Sequence, residues 1–217
     1  ARRWIERLGS QVLTIAGTDT ASTQAIADAS ERYNAASSQI STATTVKQAQ
    51  LARESALEGL YYINAAREML GMPAGPELPP LEGQRQAGKV TEQRTISHEG
   101  HDITASPVAT EQTPNYYPGG TVAGRPVPAG WYSEPWWADA LRTGLWTAGS
   151  MMLFNALFNG MSGIGYSAAA FANRIGDSAG DALSGIGDAF GGDGGGFLDG
   201  LFGGDSDGGF LDGMFDG

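Results

Sequence analysis

The chain's two histidines lie three residues apart in His98-Glu-Gly-His101-Asp102. Paired imidazoles beside carboxylates are the side chains that could hold zinc and activate a water. A helical zinc pair, however, uses HExxH spacing with a third ligand elsewhere, and here a glycine interrupts a segment that reads as a loop. The motif therefore reads as a solvated turn, and no metal site is assigned to it. No Gly-x-Ser-x-Gly elbow, P-loop or dinucleotide fingerprint occurs in the strand and helix context it needs. The chain has no cysteine, which removes thiolate catalysis, disulfides and Cys-ligated metal sites. With bases limited to carboxylates in loops, the sequence predicts a non-enzymatic protein without a cofactor.

The other chemically suggestive stretch is the C-terminal one. Gly196-Phe-Leu-Asp-Gly-Leu-Phe202 returns as Gly209-Phe-Leu-Asp-Gly-Met-Phe215. Glycine-aspartate repeats raise the possibility of calcium, but "GGDGGGFLD" has glycine where a β-roll needs its sixth-position aspartate, and "DSDGG" stops short of an EF-hand ligand set. Residues 191–217 therefore read as an acidic, Gly-rich disordered tail. Its apolar pairs Phe197-Leu198 and Phe210-Leu211 read as stickers for a protein partner that the sequence does not identify.

Net charge is −11, and the nine aspartates of residues 175–217 supply −9 of it with no basic residue beside them. An acidic balance without a Lys/Arg cluster excludes nucleic acid as a partner, because phosphate neutralisation needs clustered cations. The opening "ARRWIERLGS" is too charged, and its apolar run too short, for an intact signal peptide.

The elements that would position any site fall into unlike parts. Neither glycine nor proline occurs from Thr18 to Glu58. Ile26, Tyr33 and Ile40, then Ala49, Ala56, Ile63 and Leu70, recur every seven residues, with a phase shift near "STATT". Small residues between them let helices approach closely, so residues 1–72 read as a helical hairpin or coiled coil that self-associates into a homo-oligomer. Gly71 and Pro73 end the pattern. All ten prolines lie between Pro73 and Pro135. Residues 73–135 thus read as a Pro-rich extended spacer, with a small hairpin around Glu99-Gly100.

Between Arg142 and Arg174 lie 31 residues without a formal charge. A single helix over Leu141–Met161 would be about 31 Å long, near one hydrocarbon thickness, and on a 100° wheel its apolar bulk surrounds most of the axis. Residues 136–163 therefore read as an aromatic-flanked transmembrane helix, with Trp131, Tyr132, Trp136 and Trp137 as the interfacial belt. Asn155, Ala156, Asn159, Gly160 and Ser162 would form the stripe on which helices meet in the membrane. Residues 164–190 continue as an amphipathic Gly/Ala-rich segment. The fold class is accordingly mainly α, and the protein reads as a single-pass membrane scaffold or adaptor. Arg125 and Arg142 before the span, against Arg174 after it, place the N-terminal region on the cytoplasmic side. The alternative is a soluble structural subunit of an oligomeric complex, with the apolar helices buried between subunits.

Overall fold

The computed structural model describes residues 1–164. Three helices come first: α1 (Arg2–Thr14), α2 (Thr20–Thr42) and α3 (Val46–Met69). Capping sets two of the starts. The Asp19 carboxylate accepts from the Ser22 amide at 2.7 Å, and the Thr45 hydroxyl accepts from the Gln48 amide at 3.2 Å, and in return the Asp19 and Thr45 amides donate to the Ser22 and Gln48 side chains. The "STATT" break holds the three-residue turn between α2 and α3. Gly71, at φ 66°, follows the last turn of α3 in the left-handed region.

Helices α2 and α3 run antiparallel across a seam of small residues. Ala25, Ala29 and Ala36 on α2 and Ala52, Ala56 and Ala66 on α3 are fully buried. Gly59 marks the closest approach: a Cβ there would lie 2.4 Å from Leu8 Cδ2 of α1 and 3.1 Å from Arg32 Cβ of α2. All three helices thus converge on one residue that has no side chain.

The β-layer follows a short helix, α4 (Gln84–Ala87). Its strands are β1 (Arg94–His98), β2 (His101–Ser106), β3 (Asn115–Tyr117), β4 (Gly120–Val122), β5 (Arg125–Val127) and β6 (Gly130–Tyr132). Four pair antiparallel in the order β1-β2-β6-β3, while β4 and β5 form a separate ribbon. Glu99 and Gly100, both at positive φ, make the β1–β2 turn. Along β6 the side chains alternate. Trp131 packs with Ala21, Ala65 and Tyr116 on the side of the helical hairpin. Tyr132 lies in the other core, with Ile103, Trp136, Trp137 and Phe158.

That second core is closed by α5 (Ala138–Thr143) and α6 (Ala148–Phe158), whose Leu153, Phe154, Leu157 and Phe158 are at most 4% exposed. The Tyr132 ring meets Trp136, Trp137 and Phe158 edge-on at 5.1–6.3 Å, and its hydroxyl donates to the Pro128 carbonyl at 2.6 Å.

These elements correct the reading as mainly α. The fold is mixed α and β, and the Pro-rich stretch is folded into strands. Proline is excluded from the interior of a central strand. It is compatible with strands of only three residues, and here Pro114 and Pro118 flank β3 while Pro128 lies between β5 and β6. The one proline inside a strand, Pro126, sits in the two-stranded ribbon opposite Thr121.

The transmembrane reading is also overturned. No helix of the described residues is long and apolar enough to cross a membrane, which removes the single-pass assignment and the cytoplasmic placement built on it. The apolar run from Leu141 is interrupted where Gly144 adopts φ 75° and caps α5. Leu145 and Trp146 leave the helix, and the Thr147 hydroxyl starts a new one by accepting from the Ser150 amide at 3.2 Å. The 11 residues of α6 span only about 16 Å. A wheel drawn through Leu141–Met161 assumed a continuous axis, and the break resets its phase.

Gly59→Val should destabilise the protein by about 1–3 kcal/mol or more, because the added carbons overpack the point where α1, α2 and α3 meet. Urea unfolding followed by circular dichroism checks this, and an unchanged midpoint would refute the close approach.

Candidate functional site

The helical spacing of α2 places Gln24, Asp28, Glu31 and Arg32 on one face, four, three and one residues apart. On α3, Glu58 and Tyr62 stand one turn apart and turn toward the same space. Asn115 at the start of β3, and Pro135, Trp137 and Leu141 around α5, complete a cleft of about 270 Å³. The site therefore lies where the helical layer, the edge of the sheet and the start of α5 come together.

Its electrostatics are set by lost solvation. Burial pushes the Glu58 carboxyl up to about 7 from its usual 4.5, against the Arg32 guanidinium, whose Nη1 lies 4.0 Å from Glu58 Oε2. Asp28 and Glu54 push it the same way as burial does. The Asp28 carboxyl rises to about 6, again chiefly by desolvation, although it accepts from Gln24 Nε2 at 3.0 Å. Tyr62 is 5% exposed, and burial beside Glu58 and Asp28 holds its phenol well above the ordinary value. Asn115 Nδ2 donates to the carbonyls of Tyr132 and Ser133 at 3.3 and 3.1 Å, which fixes its amide at the sheet edge. Carboxyl groups with such raised values inside a cleft are a recognised mark of binding and catalytic sites.

The residues singled out from sequence lie elsewhere, except one. Trp131, Tyr132 and Trp136 are buried in the two cores, and Trp137, at 4% exposed, is shared between the second core and the cleft wall. Their assignment to a membrane interface depended on the span that the fold lacks; their rings pack on one another and on Tyr116, Tyr117 and α6. Asn155, Ala156, Asn159, Gly160 and Ser162 are exposed, on the side of α6 and its following turn away from Leu153 and Leu157. Phe197, Leu198, Phe210 and Leu211 lie outside the described residues, as do residues 165–190 of the amphipathic segment.

The histidine motif forms the β1–β2 turn. Half-exposed His101 pairs through Nε2 with Glu134 Oε1 at 3.1 Å, which raises its pKa, and His98 Nε2 is 3.8 Å from Glu99 Oε1. Among the described residues no group of three His, Asp or Glu side chains is placed to hold a metal ion.

The cleft was missed in the sequence because its residues read as the solvated charges of a hairpin. The available signal was their spacing: Asp28 and Arg32 on one helix, and Glu58 and Tyr62 on the next, recur at four residues on the faces that line the cleft.

Both raised carboxyls bind their proton more tightly in the folded chain than in the unfolded one. Their stabilising contribution is complete below about pH 4 and is lost as pH rises through about 6 for Asp28 and about 7 for Glu58. Stability should therefore fall between pH 5 and pH 8, by up to roughly 1.4 kcal/mol per unit of pKa difference. Glu58→Gln should remove most of the fall above pH 6, and parallel urea titrations of both proteins at pH 5 and pH 8 would show it. Comparisons with protein families, with curated proteins and with solved structures find no match to this chain.

Proposed function

We propose that the chain is a non-catalytic binding subunit whose ligand or partner group enters the cleft between α2, α3 and α5. The observation that carries this reading is the desolvation of Asp28 and Glu58 in a cavity walled by Tyr62 and Trp137. A surface built only for stability gains little from holding two carboxyls out of water beside a single guanidinium at 4.0 Å. A cleft that must recognise a charged or polar group benefits from poorly solvated groups, because a ligand can replace the interactions that water does not supply. The reading takes from the alternative drawn from the sequence only the role of a subunit, not its apolar helices buried between subunits, and dispenses with the span. The apolar side of α6 is buried within this chain.

Self-association is a second reading, favoured by Val46 and Leu51 near the start of α3, which are 77% and 54% exposed. Sedimentation velocity should show a concentration-dependent dimer or higher oligomer that Leu51→Ser weakens. A single monomeric species up to about 100 μM, the low-affinity end of specific association, would remove it.

The binding reading is tested by thermal unfolding of the full chain against alkyl amines, phosphate, small carboxylates and neutral sugars at millimolar concentration. At least one class should raise the midpoint, and Tyr62→Phe should diminish the rise. If no class shifts the midpoint, the cleft is a structural seam and the proposal falls.

A further inference from the structure

The hairpin of β1 and β2 is fastened to the α5–α6 layer by polar contacts at both of its ends, and the two fastenings differ in chemistry. At the start of β1 the Arg94 guanidinium donates to the carbonyls of Leu157 at 3.3 Å and Asn159 at 2.6 Å, where α6 closes. Arginine keeps its charge across the whole range in which a protein is folded. That end does not respond to pH.

The other end is the β1–β2 turn. A Cβ at Gly149 would stand 3.3 Å from Glu99 Oε1 and 3.9 Å from His98 Nε2, so the hairpin rests on the first turn of α6. Glu99 holds φ 49°, in the left-handed region where such a residue is uncommon. Its carboxylate thereby lies beside amides that a helix cannot satisfy internally, on a helix with no acidic residue in its own first turn. His98 Nε2 is 3.8 Å from the same carboxylate, and His101 Nε2 meets Glu134 Oε1 at 3.1 Å in the segment leading to α5. Imidazoles and carboxylates thus alternate around the turn and join it to both parts of the layer.

We propose that the β1–β2 turn is a proton-operated latch on the α5–α6 layer, closed while His101 carries its proton and released when it loses it, with the Arg94 end as the hinge. The Glu134 carboxylate raises the pKa of His101 above the ordinary 6.5, and Glu99 acts in the same direction. A group that holds its proton more tightly in the closed form stabilises that form fully below 6.5, and the contribution is lost as pH rises through the raised value. The groups facing His101 are Glu134, Glu99 and, across the ladder, His98. From α6 the turn meets Thr147 and Gly149, which carry no charge. Once the His101 ring is neutral, Glu99 and Glu134 remain as two like charges on either side of it.

An exposed pair of this kind contributes little to global stability. Its leverage is local. No side chain from Ser97 to Asp102 is buried, so nothing apolar seals the turn and little free energy separates its closed and open forms. Ile96 and Ile103 pair across the ladder just inside the turn, and both pack in the second core. Release therefore uncovers the margin of that core while Arg94 keeps the far end of the hairpin in place.

Nitrogen–proton correlation spectra of the full chain from pH 5.5 to pH 8.5 test the latch. The Ala148 and Gly149 amides should shift with the same midpoint as the His101 ring, and the ring's midpoint should fall in Glu134→Gln. Hydrogen exchange read by mass spectrometry and corrected for intrinsic rates should be about two- to fivefold faster at pH 8 than at pH 6 in peptides covering residues 96–103 and 147–151. A peptide covering residues 156–160, beside the Arg94 contact, should not change. Glu134→Gln and His101→Asn, both at exposed positions, should retain the fold by circular dichroism and lose the pH difference. An equal pH response in the wild type and both variants overturns the latch. So does acceleration spread evenly along the chain, or a pair of α6 amides that does not follow His101.

Discussion

The alternation of side chains along β6 is the constraint on which the rest of this structure depends. Because successive residues of a strand point to opposite faces, Trp131 and Tyr132 anchor two different cores from adjacent positions. Trp131 joins Tyr116, and Tyr116 meets Tyr62 at 5.8 Å, so the sheet is tied to α3 by a chain of rings. Tyr132 ties the same strand to α6 and to the segment that precedes α5. A one-residue slip of register would exchange these faces and detach both layers at once. The position of the cleft follows, since α2, α3, β3 and α5 come within reach of one another only while both anchors are seated.

The cleft inherits its chemistry from that junction. Neither helix alone withdraws Asp28 or Glu58 from water; it is the approach of β3 and of Trp137 that does so. Tertiary packing thus converts charges that would be unremarkable on an isolated hairpin into groups that titrate near neutrality.

Local punctuation was legible in the sequence, and long-range partnership was not. The "STATT" interruption, the Gly71-x-Pro73 stop and the Glu99-Gly100 turn are signals carried by adjacent residues, and an element begins or ends at each. The aromatic cluster "GWYSEPWW" was visible as a cluster, but whether such rings face lipid or one another depends on partners distant in the chain, here Tyr116, Tyr117 and Phe158. Residues 141–161 misled for a related reason. Composition averaged over a window does not register Gly144, whose positive φ cuts the run, nor Thr147, whose hydroxyl starts a second helix. Prolines misled in the opposite sense, because their density suggested an unpaired spacer while their spacing leaves three-residue strands between them. The cleft was the least legible feature, because no property of Asp28 or Glu58 in sequence reports what will cover them.

Those prolines also bear on how the sheet ends. A terminal strand with unpaired amides and carbonyls is a template on which another chain can add, and long flat edges are where β-proteins aggregate. In the order β1-β2-β6-β3 the outer strands are β1 and β3. On β3 the template is only Asn115, Tyr116 and Tyr117, and on either side stands a residue without an amide hydrogen to offer, Pro114 and Pro118. On β1 the Arg94 guanidinium reaches across to the carbonyls of Leu157 and Asn159, so a charged side chain and the end of α6 occupy that margin. The proline content that reads as a sign of an unfolded linker works here as insulation, closing off a small sheet against recruitment by its neighbours.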